Sequence, residues 1–483
     1  MVDVSDESSR ETRVRPNRGR PTGPTTSDRR RASAPTHTRL LALRVLERVS
    51  SAGAYADLLL HSALARSSLN APDRAFATDL VYGTLRWRGK IDYYLSHFVD
   101  QDLAKLEPLV ASTLQLGAYQ LLCTDRVPAS AAVDQSVRCI RAAGMGRATG
   151  LVNAVLRRLS LEHDKIMLPS IQDDPTAHLT HALSLPRWLA ERWIERFGVE
   201  GAVEFAKASN QHPPLTIRAN RARGDAGELL QDLLENFPDA AACRFATDGI
   251  VLGRKGNPAR DPSFLAGRFT VQDEASQLVV ALLDPQPGEQ VLDLCAAPGG
   301  KTTAIAERVG PSGFVVAVDR NARRLDLVQR AVRRLGLSGI RTVVRDATRS
   351  LAELAPPGGF DRILVDAPCS GLGTLRRNPD AKWRVRPGDP ARLAEVQRAL
   401  LDSAAAVLRP GGALVYSVCT VLPEENEEIA RHFLRRSRNF AAVPKDALPK
   451  EVQAVSDPEG FLQTFPHTCD ADGFFAARFE RRT

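Results

Sequence analysis

From Thr38 onward the apolar residues return every three or four positions, beginning with Leu40, Leu43, Leu46 and Val49. The same spacing recurs over residues 75–85, 91–98, 106–122, 131–142 and 151–159. A repeat matching the turn of a helix predicts amphipathic helices that bury one face each, and a succession of them predicts an all-α bundle. From residue 169 to 268 the pattern is mixed. Helical stretches at 185–197 and 203–209 give way to short β-branched pieces such as Leu215-Thr216-Ile217-Arg218 and Gly249-Ile250-Val251-Leu252, which predicts a small α+β linker domain. Beyond Arg268 short apolar runs at 290–295, 314–319, 340–345, 361–366, 413–418 and 474–479 alternate with helical stretches at 302–309, 322–335, 390–408 and 424–435. Strand and helix in alternation are the pattern of a doubly wound parallel sheet.

A chain of 483 residues exceeds what one core supports, about 250–300 residues, so the pattern divides into 1–35, 36–165, 166–268 and 269–483. Hydrophobic residues at 43% and charged ones at 25% describe a soluble globular protein, and no apolar run is long enough to span a bilayer. The charged N-terminus lacks the apolar core of a secretory signal, so a cytoplasmic protein is expected. Seven scattered cysteines without a CxxC pair speak against a disulfide framework and a zinc site. A formal charge of +8, carried mostly by arginine, suits a polyanionic partner. Residues 1–35 hold many arginines and almost nothing apolar, so they cannot offset their ordering entropy. They read as a disordered basic tail, either a solubilising extension or a nonspecific RNA-binding arm.

The candidate chemistry lies where the first strand of the alternating region meets its helix, in Asp293-Leu294-Cys295-Ala296-Ala297-Pro298-Gly299-Gly300-Lys301-Thr302. Ligands of doubly wound folds bind at that crevice, and small residues let the backbone approach them. A phosphate-binding loop would need glycine where Cys295 stands, and the dinucleotide fingerprint G-x-G-x-x-G is absent, which demotes ATP and NAD. Asp319, Asp346 and Asp366 end the next three strands. One such carboxylate alone is as well explained as a helix cap, but three on one crevice suit a cationic ligand with ribose hydroxyls.

Residues 293–301 (DLCAAPGGK), 366–371 (DAPCSG) and 416–420 (YSVCT) resemble the signature motifs of the RNA cytosine-C5 methyltransferases. The helical front end, with Leu41-Ala42-Leu43-Arg44-Val45-Leu46 and Val152-Asn153-Ala154-Val155-Leu156-Arg157-Arg158, resembles the NusB-like RNA-binding domain. Together they resemble the RsmB (Sun/Fmu) family, which modifies 16S ribosomal RNA, over most of the chain beyond residue 35. The resemblance implies an all-α NusB-like N-terminal domain, an α+β linker and an α/β Rossmann-like methyltransferase domain. It implies S-adenosyl-L-methionine as cofactor, held by Cys295, Ala296, Ala297, Pro298, Gly299, Gly300 and Lys301, by Asp319 at the ribose, Asp346 near the adenine and Asp366 near the methionine end. It implies Cys419 as nucleophile, with Val418 where the family usually has threonine, and Cys369 in product release.

The chemistry agrees. Cytosine C5 is too electron-poor to accept a methyl cation until a thiolate adds to C6 and makes an enamine. For an arbitrary cysteine an inert, buried role is the default, which is the reading for Cys123, Cys139, Cys243, Cys295 and Cys469. Strand-end placement and flanking motifs reverse it for Cys369 and Cys419. Asp366 is the candidate to hold the N3 and amino edge of the base. Lys301 either lowers a nearby thiol pKa or is only a first-turn helix residue. The turn Asp366-Ala367-Pro368-Cys369 lacks the aromatic residue that amino-group methyltransferases place there. A paired cytosine must be flipped at a cost of about a few kcal/mol, so an unpaired base is expected. The segment Arg376–Arg384, with Lys382 and Trp383, reads as a substrate loop whose cations meet phosphate; Trp383 either stacks on RNA or anchors the loop. The expected partner is RNA, with no metal or membrane and a monomeric state. A transfer RNA substrate, a noncatalytic NusB-like RNA-binding protein, and a methyltransferase for a small molecule or protein are the competing readings.

Overall fold

The computed structural model describes residues 36–125, 127–254 and 256–483; the expected disordered tail, residues 1–35, lies outside them. Helices α1 (His37–Ala52), α2 (Ala56–Ala65), α3 (Ala71–Arg86), α4 (Arg88–Ser96), α5 (Pro108–Leu122), α6 (Ala129–Ala142) and α7 (Thr149–Glu162) form the front bundle. All but α2 fall on predicted apolar stretches, and Ala42, Leu43, Val45 and Leu46 of α1 are at most 4% exposed. α5 is buried almost all round from Val110 to Gln120, which makes it the central helix of the bundle. Pro108 begins it, where a missing N–H costs nothing, and the Asn70 side chain caps α3 by accepting from the Asp73 amide at 2.9 Å.

The linker region opens with α8 (Arg187–Ser209), in which Gly198 alone leaves helical geometry (φ 71°, ψ 175°). The two helical stretches expected there therefore meet end to end, without the predicted gap. β1 (Thr216–Ala219), α9 (Ala226–Leu233), β2 (Ala241–Ala242) and β3 (Gly249–Val251) follow, then β4 (Phe269–Val271). They build an antiparallel sheet of order β2-β3-β1-β4. The expected start of the catalytic region at 269 thus falls one strand early, because Phe269 pairs with Ala219 in the linker sheet.

The C-terminal region is α10 (Glu274–Leu283), β5 (Gln290–Leu294), α11 (Gly300–Val309), β6 (Phe314–Asp319), α12 (Ala322–Leu335), β7 (Ile340–Val344), β8 (Phe360–Asp366), α13 (Asp389–Val407), β9 (Leu408–Val418), α14 (Glu427–Arg436), β10 (Phe440–Ala442), β11 (Leu462–Thr464) and β12 (Phe474–Arg481). The sheet order is β10-β12-β9-β8-β5-β6-β7, with β11 added on β12. β9, β8, β5, β6 and β7 are parallel. β12 returns antiparallel on β9, placing Phe475 beside Val418. The chain goes out from β5 through β6 and β7, then restarts at β8 on the other side of β5. This reversal opens a crevice at the carboxyl ends of β5 and β8, the ligand position of such sheets. The core lies on both faces of the sheet, with Leu292, Leu294, Val316, Val318, Val365 and Tyr416 in one cluster. Among the described residues no helix is long and apolar enough to cross a membrane.

Candidate active site

β5 ends in the turn at residues 295–300, where Cys295 takes a left-handed conformation (φ 61°) and the Ala297–Pro298 peptide is cis. Gly299 has φ 107°, and a Cβ there would lie 3.0 Å from the Val328 Cα on α12. Only glycine lets the turn pass that close. Asp319, at the end of β6, is 5% exposed and accepts from the amides of Ala297 (3.3 Å) and Asn321 (2.9 Å). The carboxylate expected at a ribose thus also fastens the turn. Asp346, beyond β7, stands further out, its side chain 53% exposed. It accepts from the Thr348 amide and hydroxyl at 3.1 and 2.7 Å, and those hydrogen bonds hold it below the usual carboxylate range.

The sequence reading did not single out Asp293, which is fully buried inside β5. Thr302 Oγ1 donates to its Oδ2 at 2.6 Å, while Oδ1 has no hydrogen-bond partner among the described residues. Burial pushes this carboxyl up to about 7, against the Thr302 hydrogen bond.

On the other side of the crevice Asp366 ends β8. Lys301, in the first turn of α11, donates from Nζ to Asp366 Oδ2 at 2.8 Å, the two side chains being 11% and 29% exposed. Burial works to lower the Lys301 pKa, but the Asp366 carboxylate outweighs it and the net shift is upward. The amine therefore stays an ammonium ion. Ser417 Oγ donates to Asp366 Oδ1 at 2.8 Å, and the Phe474 ring lies 5.1 Å from the Lys301 nitrogen. Both partners escaped the sequence reading, because neighbours across a sheet are not visible in linear spacing. The Lys301 side chain thus ends on the Asp366 carboxylate.

Cys419 follows β9 directly, Cys369 lies three residues beyond β8, and their sulfurs stand 3.4 Å apart. Both are half-buried. The hydrogen bond with Cys419, and then burial, push the Cys369 thiol well above its usual range. Burial, with Asp366 and Asp319 adding to it, pushes Cys295 up to about 12. Burial likewise raises Cys123 and Cys139 to about 11.

The two cysteine turns are fastened together from below. Glu425 is fully buried, accepts from the Ser370 amide (2.9 Å), the Ser370 hydroxyl (2.5 Å) and Gln397 Nε2 (3.1 Å), and is raised by burial. Ser370 Oγ also meets Thr420 Oγ1 at 2.6 Å. The Gly373 amide donates to the Cys419 carbonyl at 3.1 Å. Helix α8 braces the outside: Trp193 and Phe205 share a cluster with Leu372, Leu375, Val421 and Leu422, and Arg196 pairs with Glu427 at 2.7 Å.

The substrate-loop reading of 376–384 is corrected by these contacts. Arg376 is 1% exposed and pairs with Asp470 at 2.6 Å; Arg377 pairs with Asp472 and Asp273 at 2.8 and 2.7 Å. Lys382, 2% exposed, donates to the Arg86 carbonyl at 2.8 Å. Trp383 Nε1 donates to the Leu85 carbonyl at 2.6 Å, and Arg384 lies over the Tyr55 ring at 4.0 Å. Carboxylates and carbonyls, not phosphates, satisfy these groups, so Trp383 is the anchor of a segment that seats the front bundle.

A parallel sheet with a glycine turn, a close-packed helix start and strand-end carboxylates, joined by two facing thiols, defines the class: an S-adenosylmethionine-dependent methyltransferase acting on cytosine C5 of RNA. Carboxylates around a small-residue turn, one with an unpartnered buried oxygen, fit a ligand carrying both cationic groups and ribose hydroxyls.

Family models agree region by region: NusB family over residues 36–160, the RsmF/B-like ferredoxin-like domain over 185–258 and 16S rRNA methyltransferase RsmB/F over 280–480. The ribosomal RNA small subunit methyltransferase B of Erwinia tasmaniensis is 35% identical, over 92% of this chain and 99% of its own. That of Pseudomonas putida is 37% identical over 81% and 89%. A methyltransferase homolog protein from Pyrococcus horikoshii, of known structure, is 28% identical with TM-score 0.54, covering 62% of this chain and 97% of its own. The chain belongs to the ribosomal RNA small subunit methyltransferase B family.

Proposed function

We propose that this chain methylates C5 of an unpaired cytosine in 16S ribosomal RNA, in the cytoplasm, with Cys419 as the covalent nucleophile. The relatives named above carry the RNA assignment. The observation that carries the mechanism is the pair of sulfurs 3.4 Å apart beside the Lys301–Asp366 ion pair. S-adenosylmethionine supplies an electrophilic methyl group when bound. The turn 295–300, Lys301, Asp319, Asp346 and Asp366 hold it.

The Cys419 sulfur adds to cytosine C6, and the electrons of the C5–C6 double bond become available at C5. Asp366, already accepting from Lys301 and Ser417, has lone pairs left for the cytosine amino group. The Lys301 ammonium supplies protons toward N3, which takes up charge as the thiolate adds. Once C5 is methylated its proton leaves to a base, the C6–S bond breaks, and the Cys419 thiolate is regenerated. Cys369, whose raised pKa keeps its proton, faces the departing sulfur and assists release.

Replacing Cys419 by Ser is expected to abolish turnover with no RNA-linked protein. Cys369→Ala is expected to leave attack intact and accumulate a slowly migrating covalent species on a denaturing gel. The opposite pattern would assign the nucleophile to Cys369. Bisulfite sequencing of ribosomal RNA from cells with and without the protein should show one cytosine losing its methylation; no change at any position contradicts the proposal.

A further inference from the structure

The front bundle carries a groove between α1 and α2 of about 370 Å³. Leu40, Leu41, Leu59 and Ala63 form an apolar floor, and the guanidinium-bearing side chains lining it are Arg44, Arg48 and Arg66. All three arginines are exposed. No carboxylate lines the groove, and among the described residues none of the three guanidinium groups has an ion-pair or hydrogen-bond partner. Several other arginines of the bundle are neutralised: Arg88 by Asp92 at 3.4 Å, Arg138 by Asp134 at 3.0 Å, Arg158 by Glu162 at 3.6 Å. What marks this groove is that three guanidinium groups converge on it with no carboxylate in its lining.

Arg44 and Arg48 are about one helical turn apart on the same face of α1, about 6 Å along its axis. Arg66 faces them from the far end of α2. α2 begins beside Tyr55, whose ring lies under Arg384 of the segment that seats the front bundle on the catalytic region. The groove reaches His37, and Arg29, Arg30 and Arg31 precede that residue in the sequence.

We infer that this groove binds a single strand of the substrate RNA flanking the target cytosine. Arg44, Arg48 and Arg66 take its phosphates, and the leucine floor takes the faces of its sugars and bases. Phosphate is the anion that gains most from three unpaired guanidinium groups, because each contact also releases condensed counterions. An apolar floor between cations is the arrangement of single-strand binding grooves. The inference rests on the RNA assignment of the proposed function, but involves none of its catalytic groups.

The test is the salt dependence of binding to in vitro transcribed 16S ribosomal RNA, by wild type, the triple variant R44A/R48A/R66A and the charge-preserving R44K/R48K/R66K. Three lost single-strand phosphate contacts should make the slope of log affinity against log salt shallower by about 2. In the alanine variant KM for RNA should rise with kcat at saturating RNA unchanged, and the lysine variant should restore the slope. An unchanged slope, or weakened binding with an unchanged slope, overturns the groove assignment; the second result would point to a protein occupant or to lost folding. Wild type that binds this RNA but never methylates it would overturn the proposed function and leave the groove standing.

Discussion

Asp293 shows how one buried atom sets a measurable property. Its carboxyl lies under the cofactor turn with one oxygen unpartnered, and burial raises it to about 7. Unfolded, an aspartate titrates near about 3.9. Between those values the folded chain keeps a proton that the unfolded chain has released. This group's contribution to stability is therefore complete at low pH and falls as pH rises toward about 7, by up to about 1.4 kcal/mol per pH unit. Asp293→Asn should remove that slope, which thermal unfolding from about pH 5 to about pH 8 will read; an identical slope in the variant contradicts the assignment. Glu425 acts at the same scale. Glu425→Gln presents an amide N–H2 to groups that are themselves donors, Ser370 and Gln397. A loss of about 1–3 kcal/mol is expected from denaturant unfolding, together with slower transfer because the cysteine turns lose their shared acceptor.

At the scale of elements, the glycine turn works because Gly299 lets α12 pass over it. Gly299→Ala places a Cβ 3.0 Å from the Val328 backbone at a φ of 107°. S-adenosylmethionine affinity should fall by about ten-fold or more, given about 1.4 kcal/mol per decade, as measured by calorimetry; undiminished affinity would show that the turn does not hold the ligand. The strands that carry the site were legible in the sequence. Parallel strands buried on both faces read as continuous apolar runs, and Phe314–Asp319 and Ala322–Leu335 fall where expected. Other elements were not. α2 holds Leu58, Leu59 and Leu60 in succession, with Leu58 66% exposed, so no periodic face marks it. β9 begins at Leu408, five residues before the expected start, because a single Phe360–Leu408 pair precedes a bulge at Pro410-Gly411-Gly412, and regular pairing with β8 resumes only at Ala413. The cysteines were legible from their flanking motifs, whereas Asp293, Ser417 and Glu425 acquire meaning only from neighbours distant in sequence.

Across the whole molecule the segment 376–384 does what its composition hides. Arg, Lys and Trp in a loop look alike whether they meet phosphate or carboxylate, and here they join three regions. Arg86 Nη2 donates to the Arg376 carbonyl at 2.8 Å while Lys382 donates back to the Arg86 carbonyl at 2.8 Å and to Asn210 Oδ1 at 3.2 Å. Trp383→Ala should loosen the front bundle from the catalytic sheet, giving faster proteolysis near residue 384 and a higher KM for ribosomal RNA. Cofactor affinity should stay within about two-fold, since differences below about 0.4 kcal/mol are expected where no contact is lost. A fall in cofactor affinity with no change in KM would contradict this division of labour. The claim on which the rest depends is a bond between the sulfur of residue 419 and carbon 6 of the base. Substrate RNA carrying 5-fluorocytosine at the target position has no C5 proton to lose, so release is blocked after methyl transfer. Digestion and mass spectrometry of the trapped complex should find the methylated fluoropyrimidine on the peptide containing Cys419; its recovery on the Cys369 peptide, or no adduct from active enzyme, would contradict the account.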